Sequence, residues 1–145
     1  MAAGYLYKAI NLQQRRRIIR DLLKLLRGHN GEFEAIAFRG MSGCLIAPII
    51  CDTLKKQLFL VRKPIPPGAT RGHHSYNKVE WSRHGADQYD PQEHPNPELK
   101  WIILDDQVST GTTKKEIIEH MMGEGFPKPI AIVTYNYGTY WKDLP

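Results

Sequence analysis

The sequence has no apolar run approaching the roughly 20 residues that a membrane-spanning helix needs. Its first ten residues, MAAGYLYKAI, lack the long apolar stretch of a secretion signal. These absences imply a cytoplasmic protein with no membrane partner. Cysteine is scarce, with only Cys44 and Cys51, and their placement matches no zinc-ligand spacing. Seven residues apart on what reads as one helix, they share a face about 10 Å apart, too far for a disulfide. They read as small buried hydrophobes. Internal repeats and low-complexity tracts are also missing. So is the nucleotide-binding pattern GxxxxGK[ST], which excludes the usual P-loop.

What is present suits one globular domain: 145 residues, 41% hydrophobic and 24% charged. The formal net charge is +5, and much of it lies in QQRRRIIRDLLKLLRG. That stretch admits a nucleic-acid partner, a solvated helix face or a basic pocket for a polyanionic small molecule. Residues 11–27 predict an amphipathic helix. Ile18, Ile19, Leu22, Leu23, Leu25 and Leu26 form its apolar stripe, Asn11 caps the start and Gly28 the end. The stripe is wide enough to pack on a sheet or on a second subunit.

Short apolar runs then alternate with helical ones. EAIAF at 34–38, QLFLVR at 57–62, WIIL at 101–104 and PIAIVTY at 129–135 predict strands. Residues 43–56, with Pro48 in the first turn, and 114–125 predict helices. This alternation indicates an α/β domain with a mostly parallel central sheet flanked by helices. Functional loops then belong at the carboxyl ends of the strands, where Gly40 and the Asp105–Asp106 pair fall. Residues 63–100 differ: Pro64, Pro66, Pro67, Pro91, Pro95 and Pro97 cluster there. A connection of this length between core strands reads as an active-site lid, with a hairpin in SYNKVEWSRHG.

The chemistry concentrates in WIILDDQVSTGTT, residues 101–113. The strand ends in two aspartates, followed by Ser109, Thr110, Thr112 and Thr113 around Gly111. The glycine allows close backbone approach to a ligand. The helix beginning near Thr113 turns its free N–H groups and positive dipole end into the turn. Those features describe a monophosphate cradle. Two carboxylates beside a phosphate must face something else, and the two hydroxyls of a ribose suit them. Their charge also stabilises positive charge developing at the ribose C1.

This stretch resembles the signature of the type I phosphoribosyltransferases, in which four hydrophobic residues and two acidic ones precede small hydroxyl residues around glycine. AIAFRGMSG at 35–43 is similar to the family's pyrophosphate-binding loop, and Arg39–Gly40 to its adenine-specific branch. Arg62 and Lys63 in FLVRKP match a typical pair of cations at a strand end. The resemblance covers roughly residues 33–135, with adenine- and orotate-type branches nearest. It implies the family's fold with a long flexible lid, and a salvage transferase of nucleotide metabolism. Phosphoribosyl pyrophosphate and a nucleobase would be its substrates and Mg²⁺ its cofactor, carried mainly by the substrate with Asp105 and Asp106 the protein's own candidate contacts. A homodimer is implied as well.

The resemblance assigns Asp105 and Asp106 to catalysis. It assigns Arg39, Gly40, Arg62, Lys63, Val108, Ser109, Thr110, Gly111, Thr112 and Thr113 to substrate binding. Gln107 departs from an apolar family position. Ser109 stands where hypoxanthine–guanine enzymes carry an aspartate, which disfavours that branch. Thr112 replaces a common glycine. HHSYNKVEW is loosely similar to an adenine-branch pattern that would make Glu80 a purine contact. Lys78, Arg71 and Arg83 are further lid cations for pyrophosphate, while His73, His74 and His84 read as lid surface. Tyr135, Tyr137, Tyr140 and Trp141 are candidates to stack on a base or to pack against the core. The second function class is a non-catalytic module that binds phosphoribosyl pyrophosphate or a nucleotide, with nucleic acid on the basic helix.

Overall fold

The computed structural model describes residues 11–62, 79–82, 97–106, 111–136 and 138–142. Helix α1 spans Leu12–Arg27. The Asn11 side chain accepts from the Gln14 amide at 3.0 Å, satisfying one of the helix's orphan donors. Ile18, Leu22 and Leu26 repeat every four residues and are all buried, so the apolar stripe is spent on the chain's own core. Lys24 and Arg27 sit in the last turn, where the helix end is negative.

A short 3₁₀ turn, Asn30–Glu32, leads into β1, Ala35–Phe38. The Lys56 ammonium closes that turn by donating to the carbonyls of Asn30 at 2.7 Å and Phe33 at 2.8 Å. Helices α2, Gly40–Cys44, and α3, Ala47–Leu54, follow. Then come β2, Gln57–Val61, and β3, Val79–Ser82. Strand β4, Trp101–Asp105, leads to helix α4, Thr112–Gly123. The order closes with β5, Ala131–Thr134, and β6, Thr139–Trp141.

The six strands form one sheet in the order β3-β2-β1-β4-β5-β6. The inner four run parallel, while β3 lies antiparallel to β2 and β6 antiparallel to β5. Side-chain alternation divides the core into two layers. Ile36, Phe38, Ile102, Leu104 and Val133 face α1 and α3. Ala35, Ala37, Phe59, Val61, Trp101 and Ile103 face α4, which contributes Ile117 and Met121. The two alanines of β1 leave room for that helix, and Phe59 beside them makes an edge contact with Phe126 at 5.1 Å. Among the described residues, no helix is long and apolar enough to cross a membrane.

The structure corrects the sequence reading in one place and sharpens it in two. The helix expected over 43–56 is broken into α2 and α3, because Pro48 has no N–H for the Cys44 carbonyl and its ring would strike it. Pro48 does fall in the first turn, of α3. The break separates the cysteines: Cys44 is exposed, against expectation, and only Cys51 is buried, where burial pushes its thiol up to about 12. The tail forms β6, a strand the sequence reading did not name, and its Tyr140 takes the packing alternative, stacked flat on His29 with ring centroids 3.8 Å apart. Tyr135 is likewise buried in the core and Trp141 is exposed, while Tyr137 lies outside the described residues. Of SYNKVEWSRHG only residues 79–82 are described; they form β3, which pairs with β2, and the rest of the expected hairpin lies outside the described residues.

Gly43 holds α2 against β1: a Cβ built there would lie 2.7 Å from the Cβ of Phe38. Gly43→Ala is therefore expected to cost about 1–3 kcal/mol through overpacking. Urea unfolding followed by circular dichroism measures it.

Candidate functional site

In a sheet of this kind the chain leaves its strands in two directions, and the crevice opens where the direction changes. Here that place is unambiguous. From β1 the chain moves outward to β2, and it later returns to β4 on β1's other side. The loops leaving β1 and β4 therefore diverge from adjacent strand ends. Arg39–Gly40 begins the first and Asp105–Asp106 the second. Both loops contain a glycine with positive φ, Gly40 at 82° and Gly111 at 79°, a conformation that costs glycine little.

The acidic pair is held by β5. The Tyr135 amide donates to the Asp105 carbonyl at 3.1 Å, and the Asn136 amide to the Asp106 carbonyl at 3.0 Å. The Asp105 carboxylate turns back to accept from the Asp106 amide at 2.8 Å. Burial pushes the Asp105 carboxyl up to about 7, helped by the neighbouring Asp106 and opposed by that amide. A carboxylate so placed stores a demand for positive charge or hydrogen-bond donors. Beside it in the sheet register lies Thr134, fully buried, whose hydroxyl has no protein hydrogen-bond partner among the described residues.

A few residues on, the polarity reverses. Helix α4 starts at Thr112 with Gly111 as its N-cap, no capping side chain and no acidic residue in its first turn. Among the described residues, then, no carboxylate of its own first turn offsets the positive end of its dipole. Thr112 and Thr113 lie exposed on this turn. Lys114 folds back over it: its Cε lies 3.4 Å and its Nζ 3.9 Å from where a Cβ on Gly111 would sit. A lysine at a helix start, where acids are favoured, is a sequence signal for an anion that the motif reading passed over.

Arg39 does not reach into the open crevice. It is buried, donating from Nε to the Val61 carbonyl at 3.3 Å and from Nη2 to the Arg62 carbonyl at 2.9 Å. Its other contacts are with Glu116, through Nη1, and His120 Nδ1, at 3.0 Å. Sequence reasoning named neither Glu116 nor His120, although their four-residue spacing puts both on one face of α4. Arg62 is half-buried just past the end of β2. Lys63, Val108, Ser109 and Thr110 lie outside the described residues, as do Arg71, His73, His74, Lys78, Arg83 and His84. Only the backbone of Glu80 is described, opposite Leu60.

No family model matches the sequence, and no curated protein matches it. Its backbone, however, follows those of solved phosphoribosyltransferases. It is similar to Leishmania donovani UMP synthase at 25% identity and a TM-score of 0.56, covering 83% of this chain and 22% of that one. It resembles the orotate phosphoribosyltransferase of Aeropyrum pernix at 16% and 0.56, covering 86% and 59%. For the adenine phosphoribosyltransferase of Thermoanaerobacter pseudethanolicus the values are 19% and 0.57, with 86% and 69% covered. The chain thus spans less than two thirds of the first two of these proteins.

The Asp105 shift has a signed consequence. A native-state value of about 7, above the ordinary 3.8, means the folded chain holds this proton more tightly than the unfolded one. The associated stability is fully present below pH 3.8 and is lost as pH rises through about 7. Asp105→Asn removes that component. The difference between wild-type and variant denaturant-unfolding curves should therefore grow steadily in the variant's favour across this interval.

Proposed function

We propose that this chain, built on the type I phosphoribosyltransferase fold, moves a phosphoribosyl group from phosphoribosyl pyrophosphate to a ring nitrogen of a nucleobase. The observation that carries the reading is the pairing of opposite polarities in one loop at the sheet's switch point. The Asp105–Asp106 carboxylates stand at the strand end and the lysine-flanked start of α4, with no acidic residue in its first turn, follows. That sequence of charges matches a sugar phosphate laid along the loop, diol on the acids and phosphate on the helix.

In this mechanism the base nitrogen forms a bond to C1 as the C1–oxygen bond to pyrophosphate breaks. Pyrophosphate leaves with the bonding electron pair, and the proton on the attacking nitrogen passes to solvent. Asp105 and Asp106 hold the ribose hydroxyls and favour positive charge at C1. The turn 108–113 grips the 5-phosphate, fixing the pose so that attack becomes effectively unimolecular. Arg62, just past the end of β2, and Lys63, next to it in sequence, would neutralise the leaving group. Two adjacent carboxylates, one of them strained by burial toward neutrality, offer the oxygen donors that suit Mg²⁺. When bound with pyrophosphate, the ion would neutralise the leaving group's charge.

A second reading has one observation in its favour. Arg16, Arg17, Arg20, Lys24 and Arg27 are all exposed on α1, with Asp21 paired to Arg20 at 3.4 Å. A non-catalytic module that senses phosphoribosyl pyrophosphate or a nucleotide while contacting nucleic acid would use such a stripe.

Pyrophosphate release, measured with phosphoribosyl pyrophosphate, Mg²⁺ and a panel of nucleobases, decides between them. Release with at least one base is expected; binding without release for every base would sink the enzyme reading. Salt-dependent nucleic-acid binding lost on neutralising Arg16 and Arg17 would support the second. In the enzyme, Asp106→Asn should leave the circular dichroism spectrum unchanged and lower the rate by about 100-fold or more.

A further inference from the structure

An arginine cannot accept a hydrogen bond, so the contact between Arg39 Nη2 and His120 Nδ1 has one polarity: the guanidinium donates and Nδ1 accepts. With the Val61 and Arg62 carbonyls and Glu116, this employs four of the five N–H groups that a guanidinium carries. The four acceptors come from two places. Val61 and Arg62 are the carboxyl end of β2, where the cations for pyrophosphate stand. Glu116 and His120 lie in the second and third turns of α4, just behind its anion-facing start. Arg39 itself closes β1 and precedes Gly40. One buried side chain thus ties three elements whose ends surround the crevice.

We propose that Arg39, with Glu116 and His120, is a positioning unit that sets the spacing between the two anion-binding ends of the site. This inference rests on the phosphoribosyl-transfer reading and changes the part Arg39 plays in it. The guanidinium is not a ligand of pyrophosphate; it holds the pyrophosphate end and the 5-phosphate end at the separation a two-ended substrate spans. A planar fork suits this task, because its donors fix direction as well as distance, which an ammonium does not. Loosening it leaves each half-site intact and disturbs only their relation. The rigid geometry therefore matters for a ligand that must touch both ends at once.

The test compares three probes on the full chain with Mg²⁺, by titration calorimetry: phosphoribosyl pyrophosphate, ribose 5-phosphate and pyrophosphate. Glu116→Gln keeps Arg39 and removes the charge that anchors it to α4. The expected result is a Kd for phosphoribosyl pyrophosphate raised about tenfold or more, with the Kd values of the two half-ligands within about twofold of wild type. Arg39→Lys should behave alike. If pyrophosphate alone weakens in Arg39→Lys while Glu116→Gln binds everything normally, Arg39 is a direct ligand and the inference fails. It fails too if all three probes weaken together, the mark of general destabilisation. Should Arg39→Lys not fold, Glu116→Gln decides alone. A wild-type chain that binds none of the probes overturns the transfer reading itself, and the positioning unit with it.

Discussion

Everything chemical in this molecule depends on β1 and β4 lying side by side, parallel, and departing in opposite directions. Parallel strands buried on both faces cannot slip by one residue, because a slip would exchange Ile36 and Phe38 with Ala35 and Ala37 between the two core layers. The large side chains would then meet α4, and the small ones would leave voids under α1 and α3. Register is thereby locked. So is the relative height of Arg39–Gly40 and Asp105–Asp106 along the sheet. A site assembled from two distant segments of chain inherits its precision from that packing.

On this frame the polarity of the crevice is unusually sharp. Asp105 is half-withdrawn from water and inclined to keep its proton. A short stretch of chain later, α4 begins with a lysine and no carboxylate in its first turn. Each feature is unfavourable alone: a buried carboxyl loses hydration, and a cation at a positive helix end is repelled. On the transfer reading proposed above, a ligand with a phosphate at one end and hydroxyls or positive charge at the other would relieve both together.

Much of this was legible from residue order. The inner strands announced themselves as short apolar runs, Asn11 as a cap, and WIILDDQVSTGTT as the end of one strand and the start of a helix. The parts that were not legible have identifiable causes. Pro48 was placed in a first turn, yet the consequence for Cys44 required asking which carbonyl its missing amide would have met. Strand β6 is three residues long and interrupted in pattern by its aromatic neighbours, so it went unread as a strand, and the choice between base stacking and packing stayed open until Tyr140 was found stacked on His29. Arg39 matched a motif by position, but position does not reveal which way a side chain turns. Its inward course is set by Glu116 and His120, far along the sequence and visible as partners only once α4 is docked.

The sheet's margins carry a last implication. Both outer strands run against their neighbours and are brief, four residues for β3 and three for β6. Short antiparallel borders expose few unsatisfied amides and carbonyls to a newcomer, which discourages growth of the sheet by stacking another molecule alongside. Association through the described sheet margins is thereby disfavoured relative to association through helical surfaces.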